Sequence, residues 1–251
     1  MPASIKYSVL LIFAAAVFFD GSEFNNYKDK TPNIYGLWDS LLSRHVDSKG
    51  NVDYKAFKDE EEDLEAYLQA MAQDIPNKNW SKAKTLAFYI NLYNAATVNL
   101  IIKNYPINSI RDIKNPWGKK IVPQNGRLLS LGEIEHDILR KMDDPRIHFA
   151  INCASVSCPK LNNFAFSEKN LEEQLEKVSK EFILDSTKNI ISQDSVVLSE
   201  IFKWYKKDFE TNGSVLEYLS NYLNTPIAAD AKIAYLKYDW NLNNINPKSL
   251  D

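Results

Sequence analysis

Apolar residues recur at helical spacing along much of the chain. Ile34, Leu37, Trp38, Leu41 and Leu42 share a face and predict an amphipathic helix over 35–45. Phe57, Leu64, Tyr67, Leu68 and Met71 predict a second over 55–72, whose dense acidic run is then a solvated face. From 82 to 104, behind the N-cap Ser81, apolar residues run almost all the way round, which marks a buried central helix. Ser130 with Glu133 forms a capping-box pattern opening a helix over 131–142, with Leu131, Ile134, Ile138 and Met142 inward. Leu171, Leu175, Val178 and Phe182 give another over 167–183, and 215–223 a further one.

Elsewhere the pattern shortens. Over 146–152, bulky apolar residues alternate with smaller or polar ones, the period-2 signal of a half-buried strand. Val52 to Tyr54 reads as a short extended piece after the turn chemistry of 47–51, and Asn125-Gly126 is a hairpin dipeptide. Residues 189–198 suggest a hairpin and 233–236 a strand, while Ile201, Phe202, Tyr205 and Phe209 read as core rather than cleft wall. Together these elements predict an α+β fold, a mostly helical single domain around a small β-sheet, with the 82–104 helix at its centre.

The N-terminus changes the picture. One lysine precedes an apolar run from Ser8 to Phe19 that stops at Asp20-Gly21, the layout of a secretory signal over 1–21. The run is short for a bilayer span. Ala14-Ala15-Ala16 offers small residues for cleavage inside it, so a cleaved signal and an uncleaved anchor through 8–19 are both carried forward. No cysteine follows the run to take a lipid. A polar leader over 22–32 and a globular domain over 33–251 would follow, in a protein exported to the periplasm or cell exterior, with membrane contact only through an uncleaved N-terminal segment. A formal charge of −3 and a pI of about 5.7 provide no broad basic field, which sets nucleic acid aside. The sequence holds no internal repeat, phosphate loop or GxSxG elbow, and no cofactor is expected.

The chemistry concentrates in Asp143 to Asn162, which holds both cysteines and one of the three histidines. Cys153 would stand at the end of the 146–152 strand, and the small, hydroxyl-rich stretch through Cys158-Pro159 should leave the sheet as a tight loop. In an oxidising compartment Cys153 and Cys158 are first of all a candidate disulfide. Asn91 and Asn94, three apart on the central helix, share a face and predict either a pinned loop or a polar cleft beside it. His136 lies next to Glu135, as a surface ion-pair member or as a base held by a carboxylate. His45, at a helix end beside a turn, is given a capping role.

FYINLYNA at 88–95, YPINSI at 105–110, LSLGEIEHDILR at 129–140, RIHFAINCASVSCPKL at 146–161, IFKWYKKDF at 201–209 and YDWNLN at 238–243 together resemble the domain-of-unknown-function 547 family over roughly 47–246. The resemblance implies one domain and leaves the chemistry open.

Two functions of different class remain. In a cysteine-dependent hydrolase or acyl-transferase, Cys153 would be nucleophile, His136 or His148 the base, Glu135 or Asn91 the orienting group, and Asn94, Asn152, Ser155 and Ser157 the cleft. A strict strand turns His148 away from Cys153, which weighs against that base. In a non-catalytic binding or scaffold module of the cell envelope, a Cys153–Cys158 disulfide staples the loop beside a cleft for a small molecule, a peptide or an envelope ligand. A metal site from His136, His148, Glu135 and Cys153 lacks diagnostic spacing and ranks last.

Overall fold

The computed structural model describes residues 34–224 and 226–245. The signal and leader lie outside the described residues.

α1 (Ile34–His45), α2 (Tyr54–Asp59) and α3 (Glu61–Gln73) come first. The helix expected over 55–72 is therefore two: the chain bends at Glu60, whose carboxylate meets Arg44 and His45 at the end of α1. α4 (Lys82–Asn104) is the buried rod the sequence predicts. Ser81 accepts a hydrogen bond from the Lys84 amide, and the helix is buried from Leu86 to Ile102 except at Tyr89 and Asn99. Its length and hydropathy would suit a membrane span, but here it packs against α2, α3 and α7 (Leu171–Leu184) inside the fold.

Two small sheets complete the α+β architecture of a mostly helical single domain. β1 (Val122–Gln124) and β2 (Arg127–Leu129) form a hairpin around Asn125-Gly126, where both residues adopt the positive φ that a tight primed turn requires. β3 (Ile190–Ile191) pairs antiparallel with β4 (Ser195–Leu198), and β4 pairs in parallel with β5 (Lys232–Tyr235).

Two expectations are corrected. Residues 146–152 do not form a strand: Ile147–Ala150 is a helical turn, α6, and the chain extends only from Ile151. All four residues of the turn are buried, and Ile151 donates its amide to the Ile147 carbonyl at 3.1 Å. Ile147 and Ile151 are as compatible with a four-residue spacing as with a period of two, and packing selects the helix. Phe149 of α6 meets Phe182, Phe202 and Phe209 at ring separations of 5.1, 5.7 and 5.5 Å.

The second concerns 131–142. After α5 (Leu131–Glu133), capped by Ser130 and Glu133 as expected, the backbone widens into a π turn over Ile134–Ile138. The Leu139 amide is shared between the carbonyls of Ile134 and Glu135. A 3₁₀ turn then runs to Met142, and Asp143 takes a left-handed conformation. Such a widening inserts a residue into the helical register, and here Glu135 is buried while the neighbouring His136 side chain is 50% exposed. Beyond it, α8 (Ile201–Trp204), α9 (Lys206–Phe209) and α10 (Val215–Ser220) occupy the crossover from β4 to β5.

Candidate functional site

The cysteine loop hangs from α4. Asn94 donates its Nδ2 to the Ala150 carbonyl at 2.9 Å and accepts the Asn152 amide at 2.8 Å. Asn152 then spans the loop, donating to the Pro159 carbonyl at 2.7 Å and accepting the Ala154 amide at 2.8 Å. Asn91 makes the same two-way clamp on the Phe166 backbone. Buried amides placed this way satisfy peptide groups in a segment without a sheet ladder. The loop's other edge is fastened by the C-terminal segment: the amides of Val156 and Ser157 reach the carbonyls of Asn241 and Asp239.

Inside this frame Cys153 and Cys158 are joined as a disulfide, with Cα atoms 6.2 Å apart. Ala154 is left-handed at φ 59°, a conformation that costs a residue with a Cβ and persists because the loop is held at both ends. Ser155 Oγ lies 3.3 Å from the Cys153 sulfur and donates to the Tyr238 hydroxyl at 3.1 Å.

Cys153 opens onto a cleft of about 340 Å³ walled by Tyr93, Trp117, Trp204, Tyr205, Tyr238 and Trp240, with Glu135, His136 and His148 in the same lining. The aromatic walls touch one another: Trp204 stacks at 5.7 Å on Trp240, and Tyr238 lies 4.7 Å from Trp204. Glu135 is buried; its carboxylate lies 3.5 Å from the Tyr93 hydroxyl and also receives the Tyr205 hydroxyl. Burial raises both phenols above their ordinary range, so they stay protonated and donate.

His148 lies beneath this wall, stacked on Tyr205 at 3.9 Å, with Nε2 2.8 Å from Asp208 Oδ2. A carboxylate accepts, so the Nε2 proton is fixed and Nδ1 is the bare acceptor. Nδ1 is buried and, among the described residues, has no hydrogen-bond partner. Desolvation lowers the His148 pKa below its ordinary value despite Asp208, and the ring is neutral. Burial by itself would raise Asp208, but hydrogen bonds from Arg140 and His148 override it and hold the carboxylate well below its usual range.

Both shifts have one sign for stability. As pH falls through His148's unfolded value of 6.5, the unfolded chain takes up a proton that the folded ring refuses, and stability declines. Asp208 adds its loss only below about pH 4. Urea midpoints measured from pH 8 to 4 should therefore fall from about pH 6.5 downward, and His148→Gln should flatten the upper part of that fall. An unchanged slope in the variant would exclude His148 as its source.

The sequence candidates separate into two groups. Cys153, His136, His148 and Glu135 border one cleft, and the helical turn at 147–150 removes the objection that a strand would turn His148 away. Glu135 does not orient His136: its Oε1 lies 4.0 Å from Nδ1, beyond hydrogen-bond reach. Asn91, Asn94, Asn152, Ser155 and Ser157 lie outside the cleft lining; the asparagines hold backbone, and Ser157 Oγ accepts the Asp239 amide at 2.8 Å. Asp208 and the walls Tyr93, Trp117, Trp204, Tyr238 and Trp240 were not singled out as site residues. Four of them, Trp204, Asp208, Tyr238 and Trp240, sit with Tyr205 in the stretches IFKWYKKDF and YDWNLN, whose polar and aromatic residues interleave too closely for a simple core segment.

No curated protein and no solved structure matches the chain. The α4, π-turn and cysteine-loop elements all fall within residues 77–183, and that segment matches the model of the family described as "Protein of unknown function, DUF547".

Proposed function

We propose that this protein is an exported, non-catalytic binding module of the cell envelope, whose aromatic cleft takes a ligand beside a disulfide-stapled loop. The observation that carries the reading is the bond between Cys153 and Cys158, which leaves no free thiol among the described residues at the mouth of that cleft. A cleft of this size, mostly apolar with a few convergent polar groups, suits a small ligand or one side chain of a larger one. The short ring closed by the disulfide adds modest stability and chiefly fixes the cleft's edge.

The test is thiol labelling, with mass readout, of protein recovered from the exporting compartment. No label before reduction and two labels after it are expected. Rapid labelling of Cys153 without reduction would overturn the reading.

One observation favours a second function, a cysteine-dependent hydrolase or acyl-transferase. His148, whose bare Nδ1 is set as acceptor by the Nε2 contact with Asp208, is in the lining of the same cleft as Cys153. In that reading a dithiol reductant supplies two electrons and two protons to open the disulfide, and His148 takes the Cys153 proton to leave the nucleophilic thiolate. Reduced protein should then label fastest at Cys153, with the rate cut by His148→Ala. Equal rates in the two proteins would dismiss the dyad.

A further inference from the structure

The cleft's lining is unusual in its charge. Of the fourteen residues that form it, Glu135 is the only carboxylate, and neither lysine nor arginine is among them. The Glu135 side chain is 6% exposed, and its one ion-pair neighbour among the described residues is the half-exposed His136, 4.0 Å away. Arg140, the nearest arginine along the chain, is committed to Asp208 through Nε at 2.6 Å and Nη2 at 2.8 Å. His148 is neutral, so it does not compensate Glu135. Arg140 is within Coulombic reach of Glu135 without touching it, and among the described residues the buried carboxylate has no cation in hydrogen-bond contact; a ligand that places one there stabilises it.

The walls have the matching property. Aromatic faces carry the negative lobe of the ring quadrupole and attract cations, most strongly where water is excluded. Two of the cleft rings already do so from outside the lining: Arg111 sits 5.3 Å from the centre of Trp240, and Arg140 5.3 Å from that of Tyr205. Trp204 stacks on Trp240 and is 45% exposed, so it stands at the rim where a ligand enters.

We infer that the cleft is an aromatic cage for an alkylammonium group, with Trp117, Trp204, Tyr238 and Trp240 as walls and Glu135 as counter-ion. The inference rests on the ligand-binding function proposed above and names the ligand's class. A quaternary ammonium suits the site better than a metal ion, because among the described residues no three His, Cys, Asp or Glu side chains are grouped to hold one.

The full chain, with its disulfide intact, is titrated with tetramethylammonium chloride against sodium chloride at equal ionic strength, following tryptophan fluorescence and confirming by calorimetry. Two neutral probes run in parallel: neopentanol, which has the same branched shape without charge, and methyl β-glucoside, which tests stacking of a sugar. Saturable binding of tetramethylammonium is expected. It should weaken about tenfold or more in Glu135→Gln and in Trp204→Ala, with neopentanol weaker by a similar factor. Glu135→Gln keeps the volume and loses the charge; Trp204 is half-exposed, so its removal leaves the fold a second way to report. Equal binding of neopentanol and tetramethylammonium, or glucoside binding that survives Glu135→Gln, would overturn the cage while leaving the binding function standing. Silence from all three probes would overturn both.

Discussion

Phe149→Ala is expected to cost about 3–5 kcal/mol of folding stability, a drop of roughly 6–20 °C in melting temperature for a domain of this size. Phe149 is 1% exposed and sits among Phe182, Phe202 and Phe209, so truncation opens a cavity shared by α6, α7, α8 and α9. α6 and α7 precede the β3–β4 pair in the chain while α8 and α9 follow it, and among the described residues no strand ladder ties α6 to them. Phe149→Leu, which keeps more of the volume, should lose distinctly less. Urea denaturation of the three proteins measures it, and a loss below about 1 kcal/mol for alanine would show that α6 is held by its hydrogen bonds rather than by this ring.

Those hydrogen bonds are the subject of the second large effect. Asn94→Ala removes both the donor to Ala150 and the acceptor of the Asn152 amide, leaving two buried peptide groups without partners. Each such group costs about 1–3 kcal/mol, so a total of roughly 2–6 kcal/mol is expected for the two. The exposed Asn163→Ala serves as the reference and should change the midpoint little. The variant should also relax the cysteine loop, since Asn152 is the next link after Asn94. Amide hydrogen exchange at Ala154 and Cys158 should quicken more than exchange in α1. Uniform quickening would point instead to global destabilisation.

How much of this was legible in the sequence depends on the range over which each element is decided. α4 was plain, because an apolar run of that length with a serine cap has no competing reading. So were the Asn125-Gly126 hairpin and the Ser130/Glu133 cap, each set by a few adjacent residues with one conformational demand. The stretch from Arg146 to Asn152 was misread because four to seven buried apolar residues satisfy a strand and a helical turn equally, and the choice lies in the aromatic neighbours from α7, α8 and α9. The π turn left no mark in the spacing of Leu131, Ile134, Ile138 and Met142. It decides that Glu135 is buried in the cleft wall while His136, in the same lining, stays half-exposed. Asn91 and Asn94 were recognisable as a pair needing partners, while the partners themselves, Phe166, Ala150 and Asn152, are 56 to 75 residues away. The tryptophan walls are likewise distant in the sequence, and only folding brings them to the cleft of Cys153.

The segment from Tyr238 to Ile245 works as a clasp. Its backbone meets Asn108, Val52 and the cysteine loop, and Asn243 Oδ1 accepts a hydrogen bond from the Tyr54 hydroxyl at 2.7 Å. As the chain leaves the ribosome, both cysteines and α4 are present well before this clasp emerges. Until it arrives the loop has lost one edge, and Tyr238 and Trp240 are missing from the cleft. The two cysteines are thus synthesised ahead of the segment that closes their loop and completes the cleft.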